Sequence, residues 1–223
     1  MTKAEEKQRL RRVIRELERQ LSPRYRAESS RAIAAHLLAM PEYQAAGTVF
    51  CFVGTEREVD TRPILEDALA AGKRLCVPLC VGDGIMELRA VTSLDQLVSG
   101  AYGILEPPAD APRVDADEVD FAVLPCVTCN HLGQRLGRGG GYYDRFLAHY
   151  RGGTVLLCRE KLIREEIPLE PRDMPVPWYS QSVVCTRTAY LPGWVDKIGC
   201  FSRKKALFSV KTVCCQIPSA FVQ

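Results

Sequence analysis

A glycine-rich segment with one arginine carries the strongest chemical signal in the chain. Residues 135–150 read RLGRGGGYYDRFLAHY, and four glycines form a turn before a helix-like run: Gly137, Gly139, Gly140 and Gly141. A backbone without Cβ atoms lets a phosphate approach its N–H groups, and the following helix adds the positive end of its dipole. Arg138 lies among these glycines and is suited to bidentate contact with phosphate or carboxylate.

The residues after the turn strengthen this interpretation. Asp144 falls on the first helical turn, where a carboxylate could hold a hydrated magnesium ion beside the phosphate. Tyr142 and Tyr143 offer flat aromatic surfaces to a ligand, although a core position is equally compatible with either tyrosine. Glycines alone are typical of a mobile turn, but this combination at fixed offsets favours a nucleotide-phosphate site.

Three other segments contain candidate site residues. Glu58 follows a buried strand and could accept hydrogen bonds from a substrate, whereas Asp60 or Thr61 could cap the next helix. Asp173 lies in a proline-rich loop and could be a second magnesium-linked carboxylate or a turn residue. Lys7 and Arg11 share one face of the first helix, where the pattern alone favours a solvated basic surface over a phosphate clamp.

The elements that must position these residues alternate between apolar strands and amphipathic helices. Helical spacing covers the first twenty residues, and Ser22 with Pro23 predicts a second helix to about Met40. Buried strands are predicted at 48–53, 75–80, 120–126, 154–158 and 182–186, with helices at 61–71, 142–150 and 160–167. This order predicts an α/β fold with an open, mostly parallel sheet and helices on both faces.

Composition limits the class of protein. The chain has 223 residues, 47% of them hydrophobic and 26% charged, as in an ordinary globular protein. Apolar runs are too short for a membrane span, and the charged N-terminus does not resemble a secretory signal, so we expect a cytoplasmic protein. Five of the ten cysteines fall in strand-like runs, and the CxxC pair Cys126 and Cys129 has no second pair at zinc-site spacing, so reduced structural thiols are predicted rather than a zinc site.

Charge is unevenly distributed. Residues 179–223 contain six basic residues and one acidic residue, a net charge of +5, so residues 1–178 carry about −2 of the total of +3. We therefore predict two regions, an α/β domain at 1–178 and an atypical basic, cysteine-containing extension at 179–223. The main region does not have the charge of a nucleic-acid-binding protein.

Taken together, these segments resemble the 5-formyltetrahydrofolate cyclo-ligase family, also called 5,10-methenyltetrahydrofolate synthetase. The matching segments are KQRLR at 7–11, PEYQAA at 41–46, EVDT at 58–61, RLGRGGGYYDRFL at 135–147 and DMPV at 173–176. The resemblance covers about residues 3–177, and the long glycine motif is its specific part. After Pro177 the chain departs from the family pattern.

The resemblance implies a ligase that acts on ATP and 5-formyltetrahydrofolate. ATP phosphorylates the N5-formyl oxygen, N10 attacks the activated carbon, and loss of phosphate gives 5,10-methenyltetrahydrofolate and ADP. By position, Arg138 and Tyr142 are the catalytic residues, and Mg²⁺ is held by Asp144 and Asp173. The resemblance also implies a monomer without nucleic-acid or membrane partners.

By the same resemblance, two sets of residues bind the substrates. The ATP-binding residues are Lys7, Gln8, Arg9, Leu10, Arg11, Arg135, Leu136, Gly137, Arg138, Gly139, Gly140, Gly141, Tyr142 and Tyr143. The folate-binding residues are Val53, Glu58, Arg138, Gly139, Gly140, Gly141 and Tyr142.

Two other functional classes fit parts of the sequence. One is an ATP-independent enzyme on a similar scaffold, such as a sugar-phosphate isomerase or acyl-CoA transferase, that uses Glu58 as base or nucleophile. The other is a nucleic-acid-binding module that uses the basic first helix and basic C-terminal segment, with salt-sensitive affinity. The glutamates in that helix and the absence of interleaved aromatic residues disfavour the second class.

Overall fold

The computed structural model describes residues 1–100, 103–171, 173, 174 and 176, together with the strands Trp178–Ser180 and Cys185–Arg187. Within these residues the α-helices are α1 (Lys3–Gln20), α2 (Pro23–Leu38), α3 (Pro41–Ala45), α4 (Arg62–Ala70) and α5 (Tyr142–His149). The strands are β1 (Thr48–Cys51), β2 (Arg74–Gly82), β3 (Ile85–Val91), β4 (Val98–Ser99), β5 (Leu105–Glu106), β6 (Arg113–Val114), β7 (Phe121–Pro125), β8 (Thr128–Cys129), β9 (Arg135–Leu136), β10 (Gly153–Leu157), β11 (Trp178–Ser180) and β12 (Cys185–Arg187).

Eight of these strands form one mixed, mostly parallel sheet. Their order is β12-β11-β10-β7-β1-β2-β3-β6, and the run from β11 to β2 is parallel throughout. The two edges are antiparallel: β12 pairs with β11, while β2, β3 and β6 form a meander. The predicted α/β class and the mostly parallel sheet are therefore confirmed.

Helices cover both faces of the sheet because the central strands are apolar on both sides. Val49 and Cys51 of β1 join a core cluster with residues of α2, α3 and α4, whereas Phe50 faces the cluster that includes Ile14 of α1 and Leu147 of α5. Side chains along a strand alternate between faces, so a strand buried twice must be a continuous apolar run. The sequence predicted this two-sided arrangement correctly.

The N-termini of the first two helices carry the expected capping residues. Thr2 and Glu5 form a reciprocal capping box at α1, and the hydroxyl of Ser22 accepts from the backbone N–H of Tyr25 at the start of α2. Pro23 occupies the first turn of α2, where its missing N–H costs no helical hydrogen bond. The helix predicted at 160–167 is only a short 3₁₀ turn, Glu160–Leu162.

Two short strands lie in the proline-containing segment between β4 and β7. Leu105–Glu106 pairs with Val98–Ser99, and Arg113–Val114 extends the sheet beside β3. Leu94–Gln96 forms a 3₁₀ turn, with Ser93 as its N-cap. Short strands of two residues have no detectable periodicity, so their pairing depends on tertiary contacts.

The C-terminal region is described in part. The predicted boundary after residue 178 falls within β11, so the sheet extends beyond it, and the division into two domains stays a prediction. Strand Cys185–Arg187 overlaps the strand predicted at 182–186, of which 182–184 lie outside the described residues. Among the described helices, none has the length and apolarity that a membrane span requires. All six cysteines with described side chains are free thiols, as predicted.

Candidate active site

The candidate site lies where parallel strands end. β1, β7 and β10 are parallel neighbours, so their carboxyl ends share one edge of the sheet. A cavity of about 150 Å³ opens there, and its charged lining comprises five arginines and two glutamates: Arg11, Arg15, Arg57, Arg138, Arg159, Glu18 and Glu58. This excess of positive charge inside a concave site attracts polyanions.

The glycine turn connects β9 to α5 beside this cavity. Gly139 has φ +107° and Gly141 has φ +73°, and both values lie in the region that L side chains rarely adopt. Gly141 is the N-cap of α5 and has no side chain to bond the first N–H groups of the helix. The N-terminus of α5 is therefore open to an anion, as the sequence predicted.

Two arginines fix this turn to the rest of the fold. The Nε of Arg11 donates to the carbonyl of Gly137 at 2.8 Å, which joins the turn to α1. The Nη1 of Arg145 donates to the carbonyl of Gly84 at 2.6 Å and to that of Gly140 at 3.3 Å, which joins the turn to the β2–β3 hairpin. The turn is thus supported from two sides, which keeps its backbone donors in place.

Arg138 and Glu58 meet across the cavity, although they are far apart in sequence. Their side chains form an ion pair at 2.8 Å, in which Arg138 is 59% exposed and Glu58 only 16% exposed. Glu58 also accepts from the backbone N–H and the hydroxyl of Thr55, each at 3.0 Å. Arg138 is therefore accessible to a ligand, while Glu58 is a fixed acceptor at the opposite wall.

Arg159 holds the loop that carries Glu58. This guanidinium is buried at the end of β10 and donates to the carbonyls of Arg57 and Glu58 at 3.0 and 2.7 Å. It also donates to the hydroxyls of Ser29 and Ser30 on α2, each at 3.2 Å. The loop after β1 is thereby anchored to a helix. Arg159 follows a predicted strand directly, so the rule that ligands bind at strand ends could have singled it out.

The loop itself is closed by a contact that differs from the expected helix cap. Thr61 precedes α4, but its hydroxyl accepts from the N–H of Gly54 at 2.9 Å instead of capping that helix. The carboxylate of Asp60 accepts from the N–H of Arg62, the first residue of α4, at 3.0 Å. The hydroxyl of Thr61 therefore links the two ends of the loop that carries Glu58.

The solvated basic surface favoured for Lys7 and Arg11 by the sequence pattern alone is wrong. Lys7 is buried, and its ammonium contacts Glu170 and Asp173, each at 2.6 Å. Arg11 bonds the glycine turn, and burial lowers its pKa. Both residues lie on the side of α1 that faces the site, while the neighbouring arginines of α1 are exposed.

Asp144 and Asp173, the two carboxylates predicted for magnesium, are both held by cations. Asp144 accepts from the Nη2 of Arg135 at 2.7 Å, and Asp173 receives Lys7 and the N–H of Glu170. The negative charges of both aspartates oppose the lowering of the Arg11 pKa by burial. Oxygen donors of this kind suit Mg²⁺, with Asp144 the more available of the two because Lys7 and a backbone N–H engage both oxygens of Asp173.

The two tyrosines after the turn have different surroundings. Tyr143 stacks on Phe50 with ring centroids 6.3 Å apart, and burial raises its pKa, so it is part of the core. Tyr142 lines a separate cavity of about 280 Å³ together with Arg145. Both side chains are half-buried, and Tyr142 is the one of the pair that lines a cavity.

The other predicted binding residues fall in three environments. Gln8 and Arg9 are exposed on α1, and Leu10 packs against the core cluster on that face of the sheet. Leu136 is buried in β9. Val53 is buried in the core, and its neighbour Phe52 contributes to the cavity wall. Their assignment to ATP or folate stays a prediction.

Several cavity residues were not anticipated from the sequence. Glu18 lies on α1 near the arginines of the cavity, and burial raises its pKa against the opposing effect of Arg159, Arg138, Arg26 and Arg57. Cys126 and Cys158 contribute thiols where β7 and β10 end. Helical spacing could have singled out Glu18, because it falls seven residues after Arg11 on the same face of α1.

Comparison with known proteins bears directly on this arrangement. The sequence model of the 5-formyltetrahydrofolate cyclo-ligase family matches residues 3–179, a range that includes the cavity and the glycine turn. A 5-formyltetrahydrofolate cyclo-ligase from Escherichia coli K12 is 32% identical over 171 residues, which cover 74% of this chain and 94% of the relative.

Solved structures agree with the sequence comparison. The NMR structure of 5,10-methenyltetrahydrofolate synthetase from Aquifex aeolicus superposes with a TM-score of 0.73 at 31% identity, covering 82% of this chain and 92% of that one. A 5,10-methenyltetrahydrofolate synthetase from Mycoplasma pneumoniae gives a TM-score of 0.64 at 18% identity, covering 78% and 97% of the two chains, and supports the fold alone.

Proposed function

The chain belongs to the 5-formyltetrahydrofolate cyclo-ligase family, and from that premise we propose that it closes 5-formyltetrahydrofolate to 5,10-methenyltetrahydrofolate at the expense of ATP. ADP and phosphate are the other products. The observation that carries the proposal is that Arg138 of the glycine turn meets Glu58 at a positively lined cavity, and that the same turn leads into the open N-terminus of α5.

Phosphoryl transfer depends on positioning and charge neutralisation more than on a protein nucleophile. The N–H groups of the glycine turn and the guanidinium of Arg11 would hold the nucleotide phosphates, since the turn and α1 are already joined at Gly137. Arg138 is exposed beside them and would stabilise negative charge on the transferring group. Mg²⁺ held by Asp144 would neutralise part of the phosphate charge.

The folate substrate would occupy the wall formed by the loop after β1. Glu58 is fixed by Thr55 and would accept hydrogen bonds from N–H groups of the pterin ring. Phosphorylation of the formyl oxygen makes the formyl carbon electrophilic, N10 attacks it, and the phosphate leaves with the oxygen. Arg138 would lie near both substrates and would contact that oxygen throughout.

Glu58 also distinguishes this function from an ATP-independent isomerase or transferase. Such enzymes need a carboxylate on a mobile loop, whereas Arg159 anchors the loop of Glu58 to α2 through four hydrogen bonds. A carboxylate on a fixed loop is better suited to orienting a substrate than to acting as the base or nucleophile of such an enzyme. The geometry therefore favours the ligase.

A direct assay tests the proposal. Methenyl-folate absorbs at longer wavelength than the formyl substrate, so its formation can be followed continuously with and without ATP and magnesium. Turnover that needs both supports the proposal, and turnover without ATP would support the isomerase or transferase class instead. The proposal includes a cytoplasmic monomer, consistent with the free thiols, and sizing chromatography under reducing conditions tests the monomer.

A further inference from the structure

Three cysteine thiols meet beside the cavity, which two of them line, and none of the three belongs to the residues assigned to ATP and folate. Cys126 and Cys158 follow β7 and β10, whose last paired residues are Pro125 and Leu157. The β8–β9 hairpin brings Cys129 back to the same place. The three sulfur atoms all lie within 4.8 Å of one another, although Cys158 is distant in sequence from the other two.

This cluster differs from the other buried cysteines. Cys51 and Cys76 contact backbone carbonyls with Sγ to oxygen distances of 3.3 and 3.4 Å, and Cys126 and Cys158 do so at 3.5 and 3.6 Å, so the difference lies in the convergence of the thiols. Across the described side chains, only Cys126, Cys129 and Cys158 form a group of three potential metal ligands. A cysteine that serves only as a small buried apolar residue does not need to lie beside other cysteines.

We propose that Cys126, Cys129 and Cys158 form a thiolate site for one Zn²⁺ ion. Zinc binds thiolate sulfur at about 2.3 Å, so three sulfurs in a tetrahedral arrangement are about 3.8 Å apart. The cluster needs only a small contraction to reach that spacing. A set of three sulfurs selects a thiophilic ion and disfavours magnesium or calcium, which take oxygen ligands.

The fourth position of the ion would face the cavity. Cys126 and Cys158 both line it, so a water molecule or a ligand donor can complete the tetrahedron from that side. Three protein ligands with one open position are typical of an exchangeable or reactive zinc site, whereas four are typical of a purely structural one. Each sulfur–zinc bond replaces an S–H bond, and the proton passes to the solvent.

Local charge supports such a site. Three thiolates and Zn²⁺ carry a net charge of −1, which is costly to bury without a nearby cation. Arg135 is close enough to act on the charge of Cys126, and Arg159 follows Cys158 directly. Arg135 is buried, and its Nε has no hydrogen-bond partner among the described residues. This proposal depends on the thiols and these cations alone, so it stands or fails separately from the ligase function.

The test uses the full chain, purified with a reductant and without chelators. We expect about one equivalent of zinc per chain by elemental analysis, released by a thiol-modifying reagent. After zinc removal, Zn²⁺ should rebind, and Co²⁺ should give the intense sulfur-to-metal charge-transfer and visible bands of a tetrahedral thiolate site. Cys129→Ser should weaken zinc binding at least about 100-fold, since even loss of an outer partner of a metal ligand costs about 10- to 100-fold.

Matched variants make the result decisive. Cys76→Ser removes a buried thiol outside the cluster and should leave zinc binding unchanged. Replacement of Cys185, Cys200, Cys214 and Cys215 by serine should also leave it unchanged, which separates the cluster from the C-terminal cysteines. If circular dichroism shows that Cys129→Ser does not fold, Cys126→Ser is used instead, because Cys126 is only half-buried.

Three outcomes would overturn the proposal. One is a purified chain that contains no zinc and shows no cobalt spectrum after titration. Another is zinc binding that survives in both cluster variants or disappears in the C-terminal variant. The third is a disulfide among the three cysteines, detected by mass spectrometry of the reductant-treated protein, because a disulfide uses up two of the ligands.

Discussion

Replacement of Arg138 by alanine separates catalysis from stability more cleanly than any other change at the site. The guanidinium is 59% exposed, and its protein contacts are the ion pair with Glu58 at 2.8 Å and a hydrogen bond to Thr55 at 3.4 Å. Glu58 is only 16% exposed but keeps both hydrogen bonds from Thr55, so loss of its cation costs more than the about 0–1 kcal/mol of a fully exposed ion pair. We therefore expect Arg138→Ala to lower the free energy of unfolding by about 1–2 kcal/mol.

The expected effect on catalysis is much larger. A preorganised donor aimed at developing negative charge contributes about 3–4 kcal/mol to transition-state stabilisation, or about 100- to 1000-fold in kcat. The assay is methenyl-folate formation with saturating Mg·ATP, combined with unfolding in urea. Arg138→Lys should recover only part of the activity, because an ammonium cannot replace the planar bidentate donor.

A matched control is available on α2. Arg24 is 87% exposed and pairs with Glu28 at 2.8 Å, so Arg24→Ala removes a comparable ion pair away from the cavity. This variant should retain the activity and stability of the unchanged chain. If Arg138→Ala kept activity within a few-fold of Arg24→Ala, or lost several kcal/mol of stability, the role assigned to Arg138 would be refuted.

Three further substitutions test other parts of the site. Asp144→Asn should cut turnover strongly and also lower the melting temperature, because Arg135 is buried and loses its charged partner; intact magnesium dependence would contradict this. Glu18→Gln should match the unchanged chain below the ordinary glutamate pKa of about 4.3 and become the more stable of the two as pH rises. Burial raises the Glu18 pKa, so ionisation costs the folded state stability; equal melting temperatures at neutral pH would contradict this sign. Gly139→Ala should raise the KM for ATP and cost about 1–3 kcal/mol in stability, measured by kinetics and denaturant titration, because its φ of +107° strains any side chain. An unchanged KM would show that the turn does not hold the nucleotide.

The sequence predicted most of the central architecture because buried parallel strands have a distinctive composition. Continuous apolar runs such as TVFC and FAVLP indicated β1 and β7, and helical spacing indicated α1 and α2. Short elements were harder to predict from the sequence, since two-residue strands such as Leu105–Glu106 depend on pairing partners rather than on a local pattern. The 3₁₀ turn at Glu160–Leu162 was mistaken for a longer helix because its flanking residues have helical spacing.

The site was predictable where its residues are contiguous and obscure where they converge from distant segments. The glycine turn could be interpreted directly, because consecutive glycines at the start of a helix are typical of an anion-binding turn. The burial of Lys7 against Asp173 could not, since lysine on an amphipathic helix is normally exposed. The thiol cluster could not be predicted either, because Cys158 meets Cys126 and Cys129 only through the pairing of β10 with β7.

Isothermal titration calorimetry of the purified chain with Mg²⁺ and a non-hydrolysable ATP analogue tests whether the glycine turn and its arginines hold the nucleotide. We predict saturable binding of one nucleotide per chain that weakens strongly in Arg138→Ala and Gly139→Ala but not in Arg24→Ala. Absence of a binding signal in the unchanged chain, or equal binding in all three variants, would contradict the claim that the glycine turn and its arginines hold the nucleotide.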